Sequence, residues 1–288
     1  MDELSLHSEP GKGVHRLGAC TWLFGDMSLT EIAQRLGSLG FDGVELMGDL
    51  NRYAPREAAE ILQGHGLSVF SLTPADVDLA HPNPEVRLEA IDYFLRLLDF
   101  AAAIGKPVVA CHGLVGRIRP FAGSGQEQER AALVDAVRQI AVRAQGMGLC
   151  LVMEVLNRYE SHLLNTATEA VQFVDDLAGL GIENVGILMD AYHMNIEEAN
   201  PAQALRVAWD RLWLYHAADS NRQAIGRGHT SFESQMSALA DAGYAGPIIL
   251  ECTPPGPDPF RSIKGPDSVD WLETYLRESR EWLTGAGA

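Results

Sequence analysis

Four times in its second half this chain runs through a few uninterrupted apolar residues and stops on a side chain able to hold a metal. Residues 149–153 run into Glu154, 185–189 into Asp190, 212–215 into His216, and 247–250 into Glu251. A strand-length run without polar alternation reads as a strand covered on both faces, the habit of parallel sheets flanked by helices. A polar residue ending such a strand lies at the carboxyl edge, where α/β proteins place their chemistry. The four ends are spaced 26 to 36 residues apart, which suits consecutive β-then-α units.

The first half keeps the same rhythm. Strand-like runs at 17–21, 44–46, 67–72 and 107–111 precede the four above. Helix-like segments fall near 29–39, within 55–65, 84–104, 126–146 and 166–180, and then at 201–208, 232–242 and 269–283. Between 29 and 39, for example, Ile32, Ala33, Leu36 and Leu39 repeat at helical spacing. Gly40, Gly66, Gly105, Gly148 and Gly243 each stand between a helix and the next strand, as left-handed helix caps do. Eight such units without a linker predict one α/β domain, a (β/α)8 TIM barrel over residues 14–284, with a loose N-terminal tail at 1–13 and a C-terminal tail at 285–288. A doubly wound sheet would need a glycine-rich phosphate fingerprint after its first strand, and Gly18-Ala19-Cys20-Thr21-Trp22 is not one.

Composition narrows the function classes. A net charge of −17 disfavours a nucleic-acid partner, which needs clustered Lys and Arg. No apolar run is long enough to span a bilayer, and the opening MDELSLHSEPGKG lacks the apolar core of a signal peptide. Cys20, Cys111, Cys150 and Cys252 lie in or beside apolar runs without C-x-x-C pairing and read as buried, reduced thiols. The expectation is a cytoplasmic protein.

In a barrel the strand ends form a ring, so Glu154, Asp190, His216 and Glu251 converge on one rim. Three carboxylates and one imidazole make an oxygen-rich site that favours Mn²⁺ or Mg²⁺ over structural zinc. His112 ends the fourth strand and is expected to point into the same cavity as a substrate contact. Trp22 and Phe24 follow the first strand and are candidates for an apolar wall.

Three segments carry a resemblance to a known family. Glu154-Val155-Leu156-Asn157-Arg158-Tyr159-Glu160, with His162-Leu163-Leu164-Asn165-Thr166 behind it, resembles the fifth-strand motif of the ketose 3-epimerases. Met189-Asp190-Ala191-Tyr192-His193-Met194-Asn195-Ile196-Glu197-Glu198 resembles the sixth. His216-Ala217-Ala218-Asp219-Ser220-Asn221-Arg222, followed by Gly226-Arg227-Gly228, resembles the seventh and its turn. The likeness is dense from about 149 to 251 and before residue 149 is a general one to xylose-isomerase-like barrels, while Thr253-Pro254-Pro255-Gly256 after Glu251 departs from the family pattern. It implies that Glu154, Asp190, His216 and Glu251 ligate a divalent metal, Mn²⁺ foremost, with Mg²⁺ or Co²⁺ possible. It further implies that Glu154 and Glu251 are the acid/base pair, and that Glu160, His193 and Arg222 hold the C1–C3 end of a sugar. The chain would then work without an organic cofactor, as a homodimer or homotetramer.

Those residue types suit the chemistry. Inverting C3 of a ketose removes a proton beside the C2 carbonyl and returns one to the opposite face, so two carboxylates are needed. A cation chelating O2 and O3 stabilises the enediolate. An aldose–ketose isomerase would use the same set between C1 and C2 and is the alternative. Endonuclease IV shares a related Glu, Asp-x-x-His and His-x-x-Asp-Ser series. It adds a His after strand three and an Asp-x-His after strand seven, where this chain has Ser71-Leu72-Thr73 and Arg222-Gln223-Ala224. Simple sugar binding would have no use for an acid/base pair. Where family members place the groups that bind the far end of the sugar, this chain departs, with Thr21, Glu45, Ser71, Thr73 and His112 after the first four strands. The sugar itself is therefore not specified.

Overall fold

The computed structural model describes residues 15–113, 118–119, 125–255 and 265–285. The expected tail at 1–13, residues 286–288 and most of the glycine-rich segment after the fourth strand lie outside them. Eight parallel strands close into a barrel in chain order, with the first hydrogen-bonded to the last. They are β1 (Leu17–Cys20), β2 (Gly43–Met47), β3 (Ser68–Thr73), β4 (Val108–Cys111), β5 (Leu151–Glu154), β6 (Val185–Asp190), β7 (Leu212–Ala217) and β8 (Ile248–Leu250). Around them run α1 (Leu29–Ser38), α2 (Pro55–Gly64), α3 (Pro84–Ala103), α4 (Gly125–Met147), α5 (Ala167–Gly179), α6 (Ala191–Glu197), α7 (Pro201–Ala208), α8 (Phe232–Asp241) and α9 (Pro266–Gly285). The barrel expected from the pattern of apolar runs is the fold observed.

Local signals explain the boundaries. Ser28 and Thr166 open α1 and α5 with capping boxes completed by Glu31 and Glu169, satisfying amides that the helix itself leaves free. The glycines at 40, 66, 105, 148 and 243 all have positive φ, as their place between helix and strand required. α6 was not expected. It is only seven residues long, and its N-cap is Asp190, the residue that ends β6. All four cysteines are buried and free. Among the described residues no helix is long and apolar enough to cross a membrane.

Two register shifts in the sheet position the rim. Between β6 and β7, Ile187 pairs with Leu212 but Leu188 pairs with Leu214, so Asp190 lies opposite His216. Unshifted pairing would set Asp190 against Tyr215, whose hydroxyl instead reaches Gln235 on α8. Since side chains alternate along a strand, one residue of slip decides which face a residue serves. Between β2 and β3 the same device brings Glu45 opposite Ser71 rather than Phe70.

The start of β2 has no room for a side chain. A Cβ on Gly43 would lie 2.4 Å from the Ser68 carbonyl oxygen and 2.6 Å from the Phe70 ring. The backbone neighbour cannot yield without moving β3. We expect Gly43→Ala to lower unfolding stability by about 1–3 kcal/mol, the usual cost of overpacking, read as a shift in the denaturation midpoint.

Candidate active site

Glu154 ends β5, Asp190 ends β6, His216 is the penultimate residue of β7, and Glu251 directly follows β8. One ligand atom from each falls within 4.8 Å of those of the other three, and all four residues are buried. His216 Nδ1 faces the group, 3.8 Å from Glu154 Oε1, 3.9 Å from Asp190 Oδ2 and 3.9 Å from Glu251 Oε1. The four strand ends singled out in the sequence therefore do come together.

Each member turns one polar atom inward and anchors the other. Asp190 Oδ1 caps α6, accepting the amides of Tyr192 at 2.6 Å and His193 at 3.1 Å. Glu154 Oε2 pairs with His112 Nε2 at 2.7 Å. Glu251 Oε2 accepts from Arg222 Nη1 at 2.6 Å. His216 Nε2 lies 3.0 Å from Glu45 Oε2.

The inward atoms call for a cation. Asp190 Oδ2 and His216 Nδ1 are buried without a hydrogen-bond partner among the described residues. Burial and the neighbouring Glu251 push the Asp190 carboxyl well above the usual carboxylate range. Burial also works against a charged His216 ring, yet Glu45, and then Glu251 and Glu154, outweigh it and draw its pKa up to about 10. Glu154, despite burial, is held down to about 2, chiefly by His112. So crowded an anionic group would be expensive to bury without positive charge at its centre. Three carboxylate oxygens and one imidazole nitrogen fit a divalent ion of the Mn²⁺ or Mg²⁺ kind.

The remaining predicted residues line one side of this cluster. Arg222 is buried against Glu251, lies 3.7 Å from Glu160 Oε1, and stacks over the Tyr192 ring at 4.0 Å. His193 Nδ1 accepts the Asn157 backbone amide at 3.2 Å, and its Nε2 lies 3.5 Å from Arg222 Nη2, which can only donate. Burial and the Arg222 charge hold the His193 pKa well below its ordinary value. Asn157 also donates to Glu160 at 2.9 Å. Burial raises the Glu160 carboxyl, and Arg222 only partly opposes it. His112 joins the group through Glu154. Phe24 is buried in the hydrophobic core, and Trp22 packs against that core half-buried.

Several supporting residues escaped the sequence reading. Glu197 takes the backbone amide and guanidinium of Arg158, tying the loop after β5 to α6. Glu45, Ser71 and Thr73, at the ends of the second and third strands, form one buried network with His216. The signal was present, because a lone acid in an apolar strand needs buried donors. The donors themselves come from another strand and could not be matched to it by spacing.

Arg222 has a left-handed backbone, φ 60°, unusual for a residue with a side chain. Asp219 maintains it. This fully buried carboxylate accepts the amides of Ser220 at 2.7 Å, Gly226 at 2.9 Å and Thr230 at 3.1 Å, while its carbonyl accepts the Arg222 amide at 2.8 Å. Asp219→Asn puts an amide donor among those donors. We expect turnover to fall by about tenfold to a hundredfold through a displaced Arg222, with metal content by elemental analysis unchanged.

Comparison with known proteins agrees with this architecture. The model of the xylose isomerase-like TIM barrel matches residues 33–285. The D-psicose 3-epimerase of Agrobacterium fabrum is 32% identical over 228 residues, covering 76% of this chain and 77% of the relative. The 3-dehydro-D-guloside 4-epimerase of Escherichia coli is 28% identical over 265 residues, covering 90% and 99%. The solved D-psicose 3-epimerase of Clostridium cellulolyticum H10, crystallised with D-tagatose, superposes with a TM-score of 0.83 at 23% identity, over 94% of this chain and 99% of that one, a likeness of fold. This chain belongs to the xylose isomerase-like TIM barrel family and, within it, to the ketose 3-epimerase family of isomerases.

Proposed function

We propose that this enzyme inverts C3 of a ketose sugar through an enediolate, with a divalent metal, Mn²⁺ foremost, held by Glu154, Asp190, His216 and Glu251. The observation that carries this reading is the pair of glutamates, each with one oxygen in the cluster and the other on a separate partner, His112 or Arg222. The ion, when bound, polarises the C2 carbonyl and stabilises the charge that builds on the sugar oxygens. Every other element of the reaction belongs to the chain.

Glu154 and Glu251 stand on strands three units apart around the rim and serve opposite faces of C3. One, ionised, takes the C3 proton; the other, protonated, delivers one from the far side. His193, kept neutral by burial and the Arg222 charge, contacts the oxygen on which negative charge grows. Arg222 stays charged among Glu251, Asp190 and Glu160 and orients the C1–C3 end of the sugar together with Glu160. The Tyr192 ring beneath Arg222 limits its tilt.

A second reading has one observation in its favour. The Escherichia coli 4-epimerase is also a relative, 28% identical and matched over 99% of its length. Proton removal next to a ketone at C3, rather than C2, would invert C4 with the same two glutamates.

Metal dependence is tested by exhaustive chelation. Activity should vanish, and Mn²⁺, Co²⁺ or Mg²⁺ should restore it; full turnover by protein shown metal-free by elemental analysis would end the proposal. The position of chemistry is tested in D₂O on a panel of D-fructose, D-psicose, D-tagatose and L-ribulose, with 3-keto glycosides alongside. Solvent deuterium should enter C3 of the ketoses and leave C1 unlabelled. Label at C1 alone would make the enzyme an aldose–ketose isomerase, and label at C4 of the keto glycosides alone would favour the second reading.

A further inference from the structure

We infer that Glu45 is the positioning residue that aims His216 at the metal, a role that rests on the metal reading proposed above. Glu45 is 1% exposed, on a strand far in sequence from the four cluster residues. Its Oε2 lies 3.0 Å from His216 Nε2 and accepts the Ser71 hydroxyl at 2.5 Å. Its Oε1 accepts the Thr73 hydroxyl at 2.7 Å, with the Cys20 thiol at 3.8 Å. An ionised carboxylate can only accept hydrogen bonds, so the imidazole proton must sit on Nε2. With a cation in place of the Nδ1 proton, Nδ1 turns its lone pair toward the side of Glu154, Asp190 and Glu251, the arrangement a ligating histidine needs. The negative charge behind the ring also makes Nδ1 a stronger donor to a cation.

The network is built for an ionised Glu45. Two hydroxyls and one ring N–H offset the cost of burying its charge, and the register shift after Val44 is what sets Glu45 level with Ser71. A different use of the same atoms is a second cation shared by Cys20, Glu45 and His216, whose candidate ligand atoms also lie within 4.8 Å of one another. Against it, both Glu45 oxygens are already engaged by hydroxyls. The hydrogen-bonded positioning role is the one the geometry favours.

Titration of Mn²⁺ into chelator-stripped protein by calorimetry separates these cases. Wild type should bind one ion per chain. The isosteric Glu45→Gln keeps an acceptor for Nε2–H but removes the charge, and should bind about tenfold more weakly. Glu45→Ala removes both and should approach a hundredfold loss, the range seen when outer-shell partners of metal ligands are deleted. Circular dichroism of the stripped proteins checks that they fold. If Glu45→Ala does not, Glu45→Gln decides alone. Wild-type affinity in Glu45→Gln would overturn the inference, as would two ions per wild-type chain falling to one in the variant. Wild type that bound no Mn²⁺ would instead overturn the metal reading beneath it.

Discussion

Like charges brought together out of water repel, and at this rim three carboxylates are gathered within contact of one imidazole. What makes the arrangement tolerable is a division of labour inside each side chain. Asp190 spends one oxygen on the first amides of α6, Glu154 on His112, Glu251 on Arg222, and His216 one nitrogen on Glu45. The outward bonds fix the direction of the inward atoms before any ion or sugar arrives. Preorganisation of this kind keeps reorganisation out of the catalytic step.

The two glutamates are not equivalent in this scheme. Arg222 is permanently charged, whereas His112 is a group that can change its protonation. Glu251 thus always faces a cation, while Glu154 faces one only when His112 is protonated. Burial disfavours that protonated form, but Glu154 draws the His112 pKa up regardless. An enzyme that must accept sugars of either configuration at one carbon has good reason to distinguish its two faces. Here the distinction resides in the partners of the carboxylates, since the carboxylates themselves are the same residue type.

Much of this could be read from the chain alone, for definable reasons. Apolar runs, helix caps and left-handed glycines are local signals, and they placed the strands and helices of the barrel. Glu154, Asp190, His216 and Glu251 were legible because a barrel converts a position at a strand end into a position on a ring. Glu45 was not, because its meaning depends on which strand lies beside it and in what register. The helix α6 was hidden for a related reason: seven residues are too few for a periodic signal, and its cap was read only as a strand end. Asp219 could be seen in the sequence but not its four-way role, since the amides it gathers belong to a turn whose course is set by the fold.

The register shift between Ile187 and Leu188 has a consequence for how such a protein can change. Helices around a barrel can lengthen and loops can be rebuilt without altering which way a strand residue points. Inside the strands the rule is one of parity. Removing a single residue between Ile187 and Asp190, or adding one between Leu212 and His216, would exchange odd for even positions. The addition in β7 would give Tyr215 the inward place that His216 now holds, and the removal in β6 would take Asp190 out of its own. Loops at the rim can therefore change length without moving the four-residue cluster. The spacing of a few barrel residues is locked as tightly as their identity.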